Sequence, residues 1–94
     1  MFYVYLLKSC KDGRYYIGQT ENIDRRLSEH NAGRETSTKS RRPFILIGFE
    51  TFETRDESRW REFQLKKSAH QRKIFILNLL RSSSSAVASG PSGP

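Results

Sequence analysis

Tyr3-Val4-Tyr5 and Tyr16-Ile17-Gly18 frame ten residues that contain Lys11-Asp12-Gly13-Arg14. Two aromatic, β-prone runs on either side of Asp-Gly are a strong local signal for a β-hairpin. Strands are therefore expected over Phe2–Lys8 and Tyr15–Gln19. A two-residue Asp12-Gly13 turn would set Tyr5 opposite Thr20. Tyr16 would then lie four residues along the strand, about 13 Å away. If the two tyrosines share a site, Tyr5 must stand roughly opposite Tyr16. That requires a bulge or a wider loop around Cys10–Arg14.

Downstream of the hairpin, Asn22 is placed as a helix N-cap, with Asp24 in the first turn and Gly33 past the end. The apolar seam of that helix is Ile23 and Leu27. A Ser/Thr-rich basic loop follows from Arg34 to Pro43. Phe44-Ile45-Leu46-Ile47-Gly48-Phe49 reads as a third strand, apolar enough to be the central one. Thr54-Arg55-Asp56-Glu57 is a capping box opening a helix to about Lys67. Ser68-Ala69-His70-Gln71 opens a last helix through Ile74, Leu77 and Leu80. The expected fold class is α+β, a small three-stranded, mainly antiparallel sheet with flanking helices in the order ββαβαα.

The 94 residues suffice for one small domain. Ser82–Pro94 is uncharged and rich in Ser, Gly and Pro, a composition that buries too little apolar surface to offset ordering entropy. It is expected to be a disordered tail, leaving residues 1–81 as the domain. Seventeen Lys+Arg stand against ten Asp+Glu, a formal charge of +7. Such a balance suits a polyanionic partner, nucleic acid above all, or simply a solubilising surface. Cys10 is the lone cysteine, which excludes an intrachain disulfide and a cysteine metal cage. It is expected to be half-buried and reduced. The apolar run Phe2–Leu7 is too short for a signal-peptide core or a membrane span, so a cytoplasmic location is expected.

Three polar residues sit beside apolar helix faces. Ile23, Arg26, Leu27 and His30 fall at i, i+3, i+4 and i+7, which draws Arg26 and His30 to the edge of the seam. Arg26 could equally snorkel along its helix, and His30 could simply cap or pack. On the next helix Glu62 sits beside Leu65 and Ala69, either as a functional acid or as a solvated partner of Lys66. His70 and Trp60 read as structural. Tyrosines are ordinary in strands, but a glycine such as Gly18 often allows close approach to the backbone.

The two triplets, followed by Asn22-Ile23-Asp24-Arg25-Arg26-Leu27-Ser28-Glu29-His30-Asn31, Arg41-Arg42-Pro43 and Arg61-Glu62-Phe63-Gln64-Leu65-Lys66-Lys67, resemble the GIY-YIG (URI) endonuclease superfamily. The likeness is to its small stand-alone bacterial members and spans residues 1 to about 73. Tyr3 departs from the glycine of the family name. The resemblance implies the GIY-YIG fold and a DNA endonuclease of low intrinsic sequence specificity. In that pattern Tyr5 is the general base or orienter of the attacking water, and Tyr16 positions water and phosphate. Gly18 leaves room for the scissile backbone. Arg26 clamps the phosphate, and His30 assists near nucleophile or leaving group. Glu62 holds one Mg²⁺ or Mn²⁺. Lys39, Arg41, Arg42, Lys66 and Lys67 would hold the nucleic-acid backbone. Two alternatives stay open: a nucleic-acid-binding module of the same fold without robust catalysis, and a basic protein-interaction domain. Oligomeric state is left open.

Overall fold

The computed structural model describes the backbone of residues 1–92 and the side chains of residues 1–82. Strands β1 (Phe2–Ser9) and β2 (Tyr15–Thr20) precede helix α1 (Ile23–Asn31). Strand β3 (Phe44–Phe52) and helices α2 (Arg55–Lys67) and α3 (Ala69–Ser92) complete the order ββαβαα. The backbone of α3 overlaps the segment expected to be a tail, which has no proline before Pro91 to interrupt a helix. Gly93 and Pro94, the end of that segment, lie outside the described residues.

The sheet is antiparallel with strand order β2-β1-β3. The central strand is thus β1 and not β3, contrary to the expectation from apolar content. Four successive residues of β1, Val4 to Leu7, are buried, whereas Ile45 and Phe49 of β3 are half exposed. A strand flanked on both sides and covered on both faces needs a continuous apolar run. Alternation along β1 then divides the core in two. Val4 and Leu6 face Ile17, Leu65 and Phe75, beneath α2 and α3. Tyr5 and Leu7 face the opposite way, with Phe44 and Leu27 beneath α1.

The hairpin register is Tyr5↔Gly18 and Leu7↔Tyr16, closed by a bond from Ser9 N to Arg14 O. The loop is accordingly wider than a two-residue turn, as expected, and Gly13 supplies its positive φ of 73°. Tyr5 does not stand opposite Tyr16, however; it stands opposite Gly18. Tyr16 lies two residues along on the same face, so the tyrosines meet diagonally with ring centroids 6.4 Å apart. The bulge falls elsewhere, between Leu6 and Leu7 in the pairing of β1 with β3.

The helices start where their caps predict. Asn22 accepts from Arg25 N, the Thr54/Glu57 capping box is complete, and Ser68 Oγ accepts from Gln71 N. Gly33, with φ of 78°, carries the chain away from α1. Asn31 then ties that helix end to β3, its amide pairing with both the N–H and the C=O of Phe44. Cys10 is exposed in the hairpin loop, not half-buried. Trp60 is 60 % exposed and stacks on Phe63, so it has no core role. His70 is exposed as well.

Candidate active site

On the α1 side of the sheet, Tyr5 and Tyr16 present one polar end of the core. Gly18 determines how Tyr5 lies. A Cβ built at position 18 would fall 2.6 Å from Tyr5 Cζ, so only glycine lets the ring cross the neighbouring strand. The space that the resemblance reserves for a scissile backbone is filled by the chain's own tyrosine. Tyr5 is buried, and its hydroxyl lies 3.1 Å from His30 Nε2. His30 also packs edge-on against Tyr16, ring centroids 5.0 Å apart, and rests on Phe44.

The histidine is the only fully buried residue of α1, more so than Ile23 or Leu27. It therefore sits behind the tyrosines and not at the surface beside nucleophile or leaving group. Its Nδ1 lies 2.8 Å from Thr38 Oγ1, which is also fully buried. Burial first, and then the Arg26 charge, hold its pKa below the ordinary imidazole value. Burial likewise pushes Tyr5 up to about 12, although contact with Arg26 works against the shift. Tyr16 and Glu62 add to the rise, so the Glu62 charge reaches this hydroxyl.

Arg26 stands at the mouth. Its Nη1 is 3.1 Å from Glu29 Oε1 and its Nη2 is 2.6 Å from Glu35 Oε2, with about a third of each side chain exposed. Partial burial opposes its charge, but Tyr5, Glu35 and Glu29 more than compensate and raise its pKa. The guanidinium in turn lowers the pKa of Glu35. The arginine is thus held beside Tyr5 by two carboxylates, with part of its fork turned to solvent.

From the other face, α2 reaches around the β2 edge. Glu62 pairs with Lys66 at 2.8 Å, and Lys66 Nζ lies 5.7 Å from the Tyr16 ring centroid. Tyr15, Tyr16, Ile17, Lys66, Arg72 and Ile76 line a recess of about 190 Å³ there. Arg72 itself caps α2 by donating to the carbonyls of Leu65 and Lys66. Among the described residues no three or more His, Cys, Asp or Glu side chains converge on one point. The donor set fits a hard cation that keeps most of its waters and takes one carboxylate, from Glu62. It does not fit zinc, which asks for three or four protein ligands.

The remaining basic residues separate into groups. Lys39 and Arg42, with Lys11, Thr36 and Ser40, line an open basic recess of about 420 Å³. Arg41 instead points inward, pairing with Asp12 at 3.0 Å, donating to Tyr15 O and covering the Phe44 ring. It braces the hairpin loop. Lys67 lies over Phe63, on a different side of α2 from Glu62. Tyr5, Tyr16, Arg26 and His30 come together, and Lys66, paired with Glu62, lies near Tyr16, whereas Arg41 and Lys67 stand apart. Thr38 and Glu35 went unnoticed in the sequence because both lie in an irregular loop, where no periodicity assigns a face.

The chain as a whole has known relatives. The sequence profile described as the GIY-YIG catalytic domain matches residues 1–74. A UPF0213 protein of Staphylococcus haemolyticus is 41 % identical over 76 residues, covering 80 % of this chain and 92 % of that one. One from Listeria innocua is 47 % identical over 77 residues, covering 81 % and 84 %. The solution NMR structure of a UPF0213 protein from Bacillus halodurans matches with a TM-score of 0.50 and 34 % identity, over 84 % of this chain and 85 % of that one. Tyrosines from a hairpin, an arginine and histidine from α1 and a glutamate from α2 thus stand on a shared fold, and the chain belongs to the GIY-YIG catalytic domain family, a family of nucleases.

Proposed function

We propose that this chain is a metal-dependent endonuclease that hydrolyses DNA phosphodiester bonds with little intrinsic sequence preference. The observation that carries the reading is the meeting of Tyr5, Tyr16 and His30 beside the partly exposed Arg26, with Lys66 of the Glu62–Lys66 pair over Tyr16. Hydrolysis needs an oriented water and neutralisation of the charge that builds on the phosphoryl oxygens. Arg26 offers a guanidinium to those oxygens. With its pKa near 12, Tyr5 is not a standing phenolate at neutral pH. It can act by accepting a proton from water as its own proton passes to His30. Tyr16, on the solvent side of His30, positions the water. A bound Mg²⁺ or Mn²⁺ on Glu62 would supply charge for the departing oxygen. Lys39, Arg42 and Lys66 supply positive charge for the nucleic-acid backbone. Among the described residues no helix is long and apolar enough to cross a membrane. A cytoplasmic setting belongs to this reading as an expectation.

One observation favours a weaker activity. Arg26 is already engaged by Glu29 and Glu35, which a phosphate must displace or share. A nucleic-acid-binding module with feeble catalysis is the second reading. The two separate in a nicking assay on supercoiled, branched and single-stranded DNA with Mg²⁺, Mn²⁺ or EDTA. Metal-dependent nicking lost in both Arg26→Ala and Glu62→Ala, with circular dichroism unchanged, is expected for the enzyme. Salt-sensitive binding without nicking would sink it. Losing one oriented charge donor typically costs about 10²–10³ in rate.

A further inference from the structure

Thr38 precedes the 3₁₀ turn Lys39–Arg41 and makes no capping bond to it with its side chain, which is completely buried, as is that of His30. Buried polar groups away from regular structure need an explanation. The hydroxyl of Thr38 lies 2.8 Å from His30 Nδ1 and 3.4 Å from the carbonyl oxygen of Glu35. A carbonyl oxygen can only accept. If the Thr38 proton is directed to Glu35 O, a hydroxyl lone pair is turned to Nδ1, the closer partner. Nδ1 then carries the imidazole proton. A neutral ring has one such proton, which leaves Nε2 bare to accept from Tyr5, 3.1 Å away. The ring is kept neutral by its burial and by Arg26. The groups that face it are Tyr5 of β1, Tyr16 of β2, Arg26 and Glu29 of α1, Glu35 and Thr38 of the loop, and the apolar Phe44 of β3.

We propose that Thr38 is a positioning residue that locks His30 in its Nδ1–H tautomer and so makes Tyr5 a donor toward the interior. This rests on the hydrolase reading above. With the opposite tautomer, Nε2–H would donate to Tyr5, whose own proton would then point at the substrate. Tyr5 would be an acid where a base is needed. In the locked state the step balances. The water oxygen bonds to phosphorus as its proton goes to Tyr5 Oη, and the Tyr5 proton goes to His30 Nε2. The P–O bond to the leaving oxygen breaks, and that oxygen takes a proton from solvent. The resulting imidazolium keeps its Nδ1–H on Thr38 with the Glu35 carboxylate nearby.

The test is a long-range ¹H–¹⁵N correlation of the imidazoles in the full chain, wild type, Thr38→Val and Thr38→Ser. The expected result is Nδ1–H for His30 in wild type and Thr38→Ser, and Nε2–H or a mixture in Thr38→Val. Wild type in the Nε2–H form overturns the proposal without recourse to any variant, as does a Thr38→Val spectrum unchanged from wild type. In single-turnover nicking, Thr38→Val should lose about 10–100-fold in rate with DNA affinity intact, and Thr38→Ser should recover most of it. Equal loss in both variants would mark a packing effect and defeat the positioning role. A wild type that binds DNA but cuts nothing defeats the hydrolase reading alone, because the tautomer spectra still decide what Thr38 does.

Discussion

Replacing Gly18 with alanine adds one methyl group where the Tyr5 ring already lies. Position 18 has no positive φ, unlike Gly13 and Gly33, so its backbone accommodates alanine. By conformational entropy alone the change would stabilise by about 0.4–1 kcal/mol. The new Cβ would stand 2.6 Å from Tyr5 Cζ, closer than non-bonded carbons tolerate. Tyr5 is 2 % exposed, pinned through its hydroxyl to His30 and packed with Leu7 and Phe44, so the ring has no empty space to enter. Overpacking of that kind costs about 1–3 kcal/mol and reverses the sign. For a domain of this size each kcal/mol lowers Tm by roughly 4–8 °C. Urea and thermal unfolding of Gly18→Ala should show that loss, and nicking should fall with it as the hydroxyl leaves His30. The partner experiment is Gly18→Ala in a Tyr5→Val background, where no ring crosses position 18. There the alanine should be neutral or stabilising. A single variant as stable as wild type, or an equal cost in both backgrounds, would refute the reasoning.

Glu35→Gln removes one of the two carboxylates on Arg26. Since that pair is screened by solvent, its hold on Arg26 is weak, and DNA binding in low salt should tighten modestly; weaker binding would contradict the arrangement. The pKa of His30 is lowered in the fold, so the unfolded chain takes up its proton first as pH falls. The stability it contributes is present above the ordinary value of about 6.5 and is lost as pH drops through that value toward the folded one. Urea midpoints should decline across this window in wild type and stay level in His30→Gln; a level wild type would mean that the ring is not held neutral. Arg41→Met should lower Tm while leaving the salt dependence of DNA binding unchanged, because Arg41 is spent on Asp12, Tyr15 O and Phe44. Lys39→Met and Arg42→Met should each cut the slope of log K against log salt by about 0.9 without loss of Tm, and the reverse pattern would exchange their roles.

The parts of the molecule that local chemistry decides were readable in the chain. Asn22, Thr54 and Ser68 cap helices by bonds to residues three positions on, so their roles need no tertiary knowledge. The meeting of Tyr5, Tyr16, Arg26 and His30 was accessible only through the joint order of the motifs, since each residue had an ordinary explanation by itself. The depth of each residue was not readable. Arg26 and His30 share a helix face, and spacing cannot say that one ends among carboxylates at the mouth and the other behind two aromatic rings. Strand order failed for a related reason. An apolar run in β3 looks central, but its centrality depends on which strand pairs on both sides. Thr38, Glu35 and Arg41 lie in or beside the irregular loop, where facing is set wholly by distant partners.

The position of β1 bears on when this protein could first act. Of the three strands, the central one leaves a ribosome before its neighbours, yet one of these, β3, ends at Phe52, and Glu62 and Lys66 come later still. His30 rests on Phe44, so its surroundings are incomplete until that residue has emerged. Pairing over such sequence separations is slow compared with closing a hairpin. A nascent chain therefore exposes its tyrosines early but acquires the full set only after nearly the whole domain is free. During synthesis the tyrosines thus stand on a basic peptide before the fold that gathers them exists.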